Sequence, residues 1–151
     1  MGGTWRFNDI AVVGDDVFGR DDNGNVYKIG ATVATTPVWA SGTGIFNKIV
    51  GGNTKLYGIG TDKAAYRIEQ NAIVAMGGNW RFKDIAVVGD VLYGLDLHGT
   101  SIYKVTGTGL SPTPFDEPFA TLTASYNHII GGGNSLYAYN NSNAYRINVP
   151  N

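Results

Sequence analysis

The chain has 151 residues, only 15% of them charged, and a net charge of −1 from 11 Lys+Arg against 12 Asp+Glu. That balance supplies no basic stripe for nucleic acid. The absence of cysteine excludes disulfides and thiolate metal sites. The apolar stretches, around five residues at most, are too short to insert in a membrane as a helix.

The N-terminal segment MGGTWRFNDI has neither a basic nor an apolar signal region, so a soluble protein is expected, in a compartment the sequence does not name. FNDIAVVG follows as a first strand, ended by Gly14. DVFGRD and NVYKIG come next, separated by Asp22-Asn23-Gly24-Asn25. Asn-Gly there predicts a two-residue hairpin of type I′, in which both central residues take positive φ. TPVWAS supplies a fourth strand before the pattern restarts at Phe46. The later units repeat this order, with NAIVAM and EPFATLT as fourth strands and turns at Gly60–Lys63, Leu97–Thr100 and Asn140–Asn143. No segment keeps a 3.6-residue apolar period, so no helix is expected.

Two levels of repetition organise these strands. Residues 3–14, GTWRFNDIAVVG, match residues 78–89, GNWRFKDIAVVG, at ten of twelve positions, 75 residues apart. FNKIVGGNTKLYGIGTDKAAYRI at 46–68 similarly matches YNHIIGGGNSLYAYNNSNAYRI at 126–147. The two members of each pair also align, with Phe7, Phe46, Phe82 and Tyr126 in register and successive units 39, 36 and 44 residues apart. Phe18, Tyr57, Tyr93 and Tyr137 follow eleven residues later, and Tyr27, Tyr66, Tyr103 and Tyr145 mark the third strands.

Four short strands every 36–44 residues are the pattern of propeller blades. The expected architecture is therefore all-β: a single domain over 1–151, a four-bladed β-propeller with units near 3–41, 42–77, 78–121 and 122–151, and a two-fold duplication. The first strands, nearly continuous in apolar residues from Ile10 to Val13 and from Ile85 to Val88, are expected to be inner strands buried on both faces. The last unit stops short of an outer strand. Either that blade has three strands, or neighbouring chains complete a larger ring as a homo-oligomer.

The unit WRFxDIAVVGDxLYGLDxxGxxIYKV resembles the blades of tectonin and tachylectin-type propeller lectins. The likeness runs through all four units and rests on the aromatic-led inner strand, the LYG second strand, the Gly-containing turn and the IYK/AYR third strand. It implies repeated, non-catalytic sites for terminal sugars of glycans. Such sites bind weakly one by one and strongly together. Members of that family usually carry five or more blades, so four is a departure.

Against that expectation the candidate sugar-binding residues are Trp5, Arg6, Asp9 and Asn47 in the first half, and Trp80, Arg81, Asp84 and Asn127 in the second. An indole stacks on the apolar face of a sugar ring, or wedges between blades. A carboxylate accepts sugar hydroxyls, or caps backbone N–H groups of a neighbouring strand. Arginine clamps a hydroxyl or carboxylate, or is merely solvated. Asn140, Asn141 and Asn143 suit turn geometry better than recognition. Lys48 and His128 stand where the odd units carry Asp9 and Asp84.

Asp21, Asp22, Asn23 and Asn25 invite a calcium reading. Val26 and Thr32 stand where the calcium loop needs glycine and glutamate, so a hairpin turn is the better account. His98 and His128 lie in different units, and no nucleophile–base–acid set converges. No metal, cofactor or enzymatic activity is expected. The second functional reading is a protein-interaction scaffold, part of a larger bacterial or phage assembly.

Overall fold

The computed structural model describes residues 6–30, 35–39, 45–106 and 120–149. It is all-β, with no helix among these residues and hence none long and apolar enough to cross a membrane. Among the described residues fifteen strands form four separate antiparallel sheets. Sheet I holds β1 (Asp9–Val13), β2 (Asp16–Arg20), β3 (Val26–Ile29) and β4 (Thr35–Trp39). Sheet II holds β5 (Phe46–Gly51), β6 (Leu56–Gly60), β7 (Ala65–Glu69) and β8 (Ala72–Met76). Sheet III holds β9 (Phe82–Val88), β10 (Val91–Asp96), β11 (Ser101–Val105) and the short β12 (Ala120–Thr121). Sheet IV holds β13 (His128–Gly132), β14 (Ser135–Tyr139) and β15 (Ala144–Asn148), three strands among the described residues. Every sheet is a meander in chain order, an arrangement compatible with a propeller.

The period of two along a strand explains how the sheets stack. Leu56 faces sheet I, in a cluster with Ala11, Val26, Phe46, Ile49 and Ile68. Its neighbour Tyr57 faces sheet III, with Ile59, Ala65, Met76, Phe82, Ile85 and Leu92. Ala86, next to Ile85, faces sheet IV, beside Tyr93, Leu95, Ile129 and Leu136. Three apolar cores thus lie between consecutive sheets, and the four first strands line one cavity of about 250 Å³.

The first strands are not all buried alike. Ile85 is 0% exposed, as continuous apolar character predicts, but its repeat counterpart Ile10 is 62% exposed. Sheet III has a sheet on either side of it, whereas the Ile10 face of sheet I has none among the described residues.

The first hairpin also differs from expectation. Of Asn23 and Gly24 only Gly24 takes a positive φ, 78°. The Gly24 N–H donates to the Asp21 carbonyl at 3.1 Å, which makes Asp22 and Asn23 the centre of the turn and leaves Gly24 to follow it. Asp21 explains the shift: its Oδ1 accepts the N–H groups of Asn23 and Asn25, both at 2.9 Å, and holds the longer loop. Lys63 and Gly99 occupy the same left-handed position in the next two units.

Candidate functional site

Of the eight candidate residues Trp5 lies outside the described ones, and the other seven do not form one site. Trp80 and Arg81 share a surface depression, Asp9 and Asp84 stand on the first strands of sheets I and III, and Arg6, Asn47 and Asn127 are exposed. At the rim of sheet III, the chain arrives through the turn at Gly77–Trp80, closed by the Trp80 N–H on the Gly77 carbonyl at 3.0 Å. This sets the half-buried Trp80 against Tyr103 of β11, ring centroids 4.7 Å apart and tilted by 41°. The β10–β11 turn rises beside the indole. Together Asn79, Trp80, Arg81, Asp96, Leu97 and His98 line an open depression of about 470 Å³, the size of a small-ligand site.

The chemistry of this depression is mixed. Leu97 is half exposed, an apolar side chain beside an indole. Arg81 is exposed, and its Nη1 donates to the Trp80 carbonyl at 2.9 Å, which fixes the guanidinium at the edge. Asp96 Oδ1 accepts the Thr100 and Ser101 N–H groups at 2.8 and 3.0 Å. Its other oxygen has no hydrogen-bond partner among the described residues. An apolar plate ringed by a fixed cation, a carboxylate, an imidazole and an amide is able to hold a flat, hydroxylated ring. Leu97 and His98 were missed by sequence reasoning, because Asp22 and Asn23 stand at these positions in the first unit and conceal any pattern. In that unit Trp5 lies outside the described residues, Arg6 is exposed, and Asn8 Nδ2 donates to Asp22 Oδ1.

Asp9 lies elsewhere, on the wall of the cavity between the first strands, and Asp84 is buried at the equivalent position of β9. The Ile49 N–H of sheet II donates to Asp9 Oδ2 at 2.9 Å. Equivalently, the Ile129 N–H of sheet IV donates to Asp84 Oδ2 at 2.9 Å. Asp84, 4% exposed, also accepts the Ile85 N–H at 3.0 Å and Lys48 Nζ at 2.8 Å. Each carboxylate therefore ties one sheet to the next, and Asp84 also joins sheet II to sheet III. The structure does not bring Asp9 or Asp84 into the depression at Trp80. Asn47 and Asn127 are exposed at the starts of β5 and β13, Asn47 as the extra residue where the β5–β6 register shifts.

Asp90 makes another joint. Burial pushes its carboxyl up, but the Thr54 N–H and hydroxyl, the Lys55 N–H and the Lys55 charge outweigh that and hold it below the usual carboxylate value. Tyr57 donates its hydroxyl to the Asp90 carbonyl at 2.8 Å. Burial, then the Asp90 charge, raise the phenol above its usual 10.0. Among the described residues no three His, Asp or Glu side chains gather as a metal site requires.

Comparison of the chain with protein-family models and with curated proteins gave no match.

Proposed function

We propose that the four sheets are propeller blades and that the protein is a non-catalytic carbohydrate-binding lectin, in line with the tectonin and tachylectin-type units its repeats resemble. The observation that carries this reading is the Trp80 depression, where an indole backed by Tyr103 lies beside exposed Leu97 and within a ring of Arg81, Asp96, Asn79 and His98. Sugars present an apolar C–H face edged by hydroxyls, and a plate with a polar rim complements both. The Asp9 and Asp84 carboxylates act as joints in this reading, so recognition falls to the rim.

A glycan array with the purified chain tests it. Binding to one class of terminal sugar is expected. Leu97→Asp, which installs the residue of the first unit at an exposed position, should weaken it about tenfold, or 1.4 kcal/mol. Trp80→Ala should abolish it. An array left blank at high protein density removes the lectin reading and leaves the interaction scaffold. One observation favours that second reading: β15 is almost wholly exposed, and among the described residues no strand pairs with its outer side. Such an edge offers backbone donors and acceptors to a partner strand.

A further inference from the structure

Among the described residues the three apolar cores between consecutive sheets leave two faces uncovered, one on sheet I and one on sheet IV, and Ile10 and Ile130 on these faces also line the cavity between the first strands. These faces are repeat copies of surfaces that meet inside the chain. Sheet I is the counterpart of sheet III, and sheet IV the counterpart of sheet II. Between sheets II and III the structure shows what such faces do: Ile59 and Ile85 are 4% and 0% exposed in one cluster, and Lys48 Nζ reaches Asp84 at 2.8 Å. The counterparts of Ile59 and Ile85 are Tyr139 and Ile10, 38% and 62% exposed. Val12 and Ile130, at 54% and 55%, widen the two faces. The counterparts of Lys48 and Asp84 are His128 and Asp9; the exposed His128 ring stacks on Tyr139 at 5.1 Å, with Nδ1 3.6 Å from Asp84 Oδ2, which leaves Nε2 as the nitrogen for a partner's carboxylate.

We propose that sheet IV of one copy docks on sheet I of a second copy as sheet II docks on sheet III within the chain. In this joint Tyr139 and Ile130 cover Ile10 and Val12, and His128 meets Asp9. The contact is head-to-tail, so it leaves one used and one unused face at each step and closes only as a ring. Two copies make the smallest ring, with eight sheets, inside the usual range of about four to eight blades. The inference is independent of the sugar reading.

Sedimentation of the purified chain tests it. The expected mass is twice the 16.1 kDa of one chain. Ile10→Lys and Tyr139→Glu each alter an exposed side chain and should leave the circular dichroism spectrum unchanged. Each variant alone carries its substitution in both joints of a two-copy ring and should shift toward 16.1 kDa. Mixed in equal amounts, the two variants retain one intact joint, sheet IV of the Ile10→Lys chain on sheet I of the Tyr139→Glu chain. They should therefore recover a complex that neither forms alone. A chain that stays single at all concentrations overturns the proposal, whether its four sheets close on themselves or the faces await a different partner. Assembly indifferent to both substitutions, or variants that do not recover on mixing, overturns it as well.

Discussion

At the scale of single residues, Asp84 is the most constrained charge in the described structure. Its carboxylate accepts two backbone N–H groups and the Lys48 ammonium while 4% exposed. Replacing it with asparagine keeps the shape, but turns an NH₂ group toward donors that need an acceptor. Asp84→Asn should cost about 2–4 kcal/mol in urea denaturation. Asp9→Asn, which meets one inter-sheet N–H and no lysine, should cost roughly half of that. Equal effects would show that the ammonium adds nothing. The carboxylates illustrate what a sequence withholds. Their repetition 75 residues apart is plain in the chain, but the N–H groups they accept, of Ile49 and Ile129, lie 40 and 45 residues away. Only the stacking of sheets brings those together. The one legible hint was the alternation of acid and base, with Lys48 and His128 at the same unit position. It carried the partner of Asp84 without its geometry.

At the scale of elements, the strands follow from local chemistry, and their close approach follows from glycine. A Cβ on Gly51 would stand 1.9 Å from the Val12 carbonyl oxygen, and one on Gly131 would stand 2.0 Å from that of Val87. β5 and β13 therefore run against the preceding first strands at a distance that only glycine permits. Gly51→Ala must push sheets I and II apart. It should destabilise the chain by about 3 kcal/mol, the upper end of overpacking penalties, read as a lower melting temperature. Alanine tolerated at less than 1 kcal/mol would mean that the sheets slide freely. These strands were legible because alternating apolar residues and turn signals are local. The first turn was misread because Asn23-Gly24 carries a strong two-residue signal, and the Asp21 side chain overrides it with two hydrogen bonds of its own.

At the scale of the whole molecule, stability is distributed by neighbourhood, as in repeat proteins. Sheets II and III have a core on each side, and sheets I and IV have one each. In the Ile10→Lys chain, amide exchange should be slowest in β6, β9 and β10 and faster in β1 and β14. Uniform protection would mean that all four sheets unfold as one unit. The four-unit plan was legible because duplication writes it twice. Which faces lie open was not, since Ile10 and Ile85 read alike until their neighbours are seen. The joints also alternate in kind: a carboxylate on a backbone N–H within each 75-residue pair, and an ammonium on a carboxylate between pairs. A gene encoding this chain can therefore gain or lose whole pairs and keep every seam matched. Adding one odd unit beside another would set two carboxylates face to face, so the pair, not the single unit, is the step that keeps the seams of this chain matched.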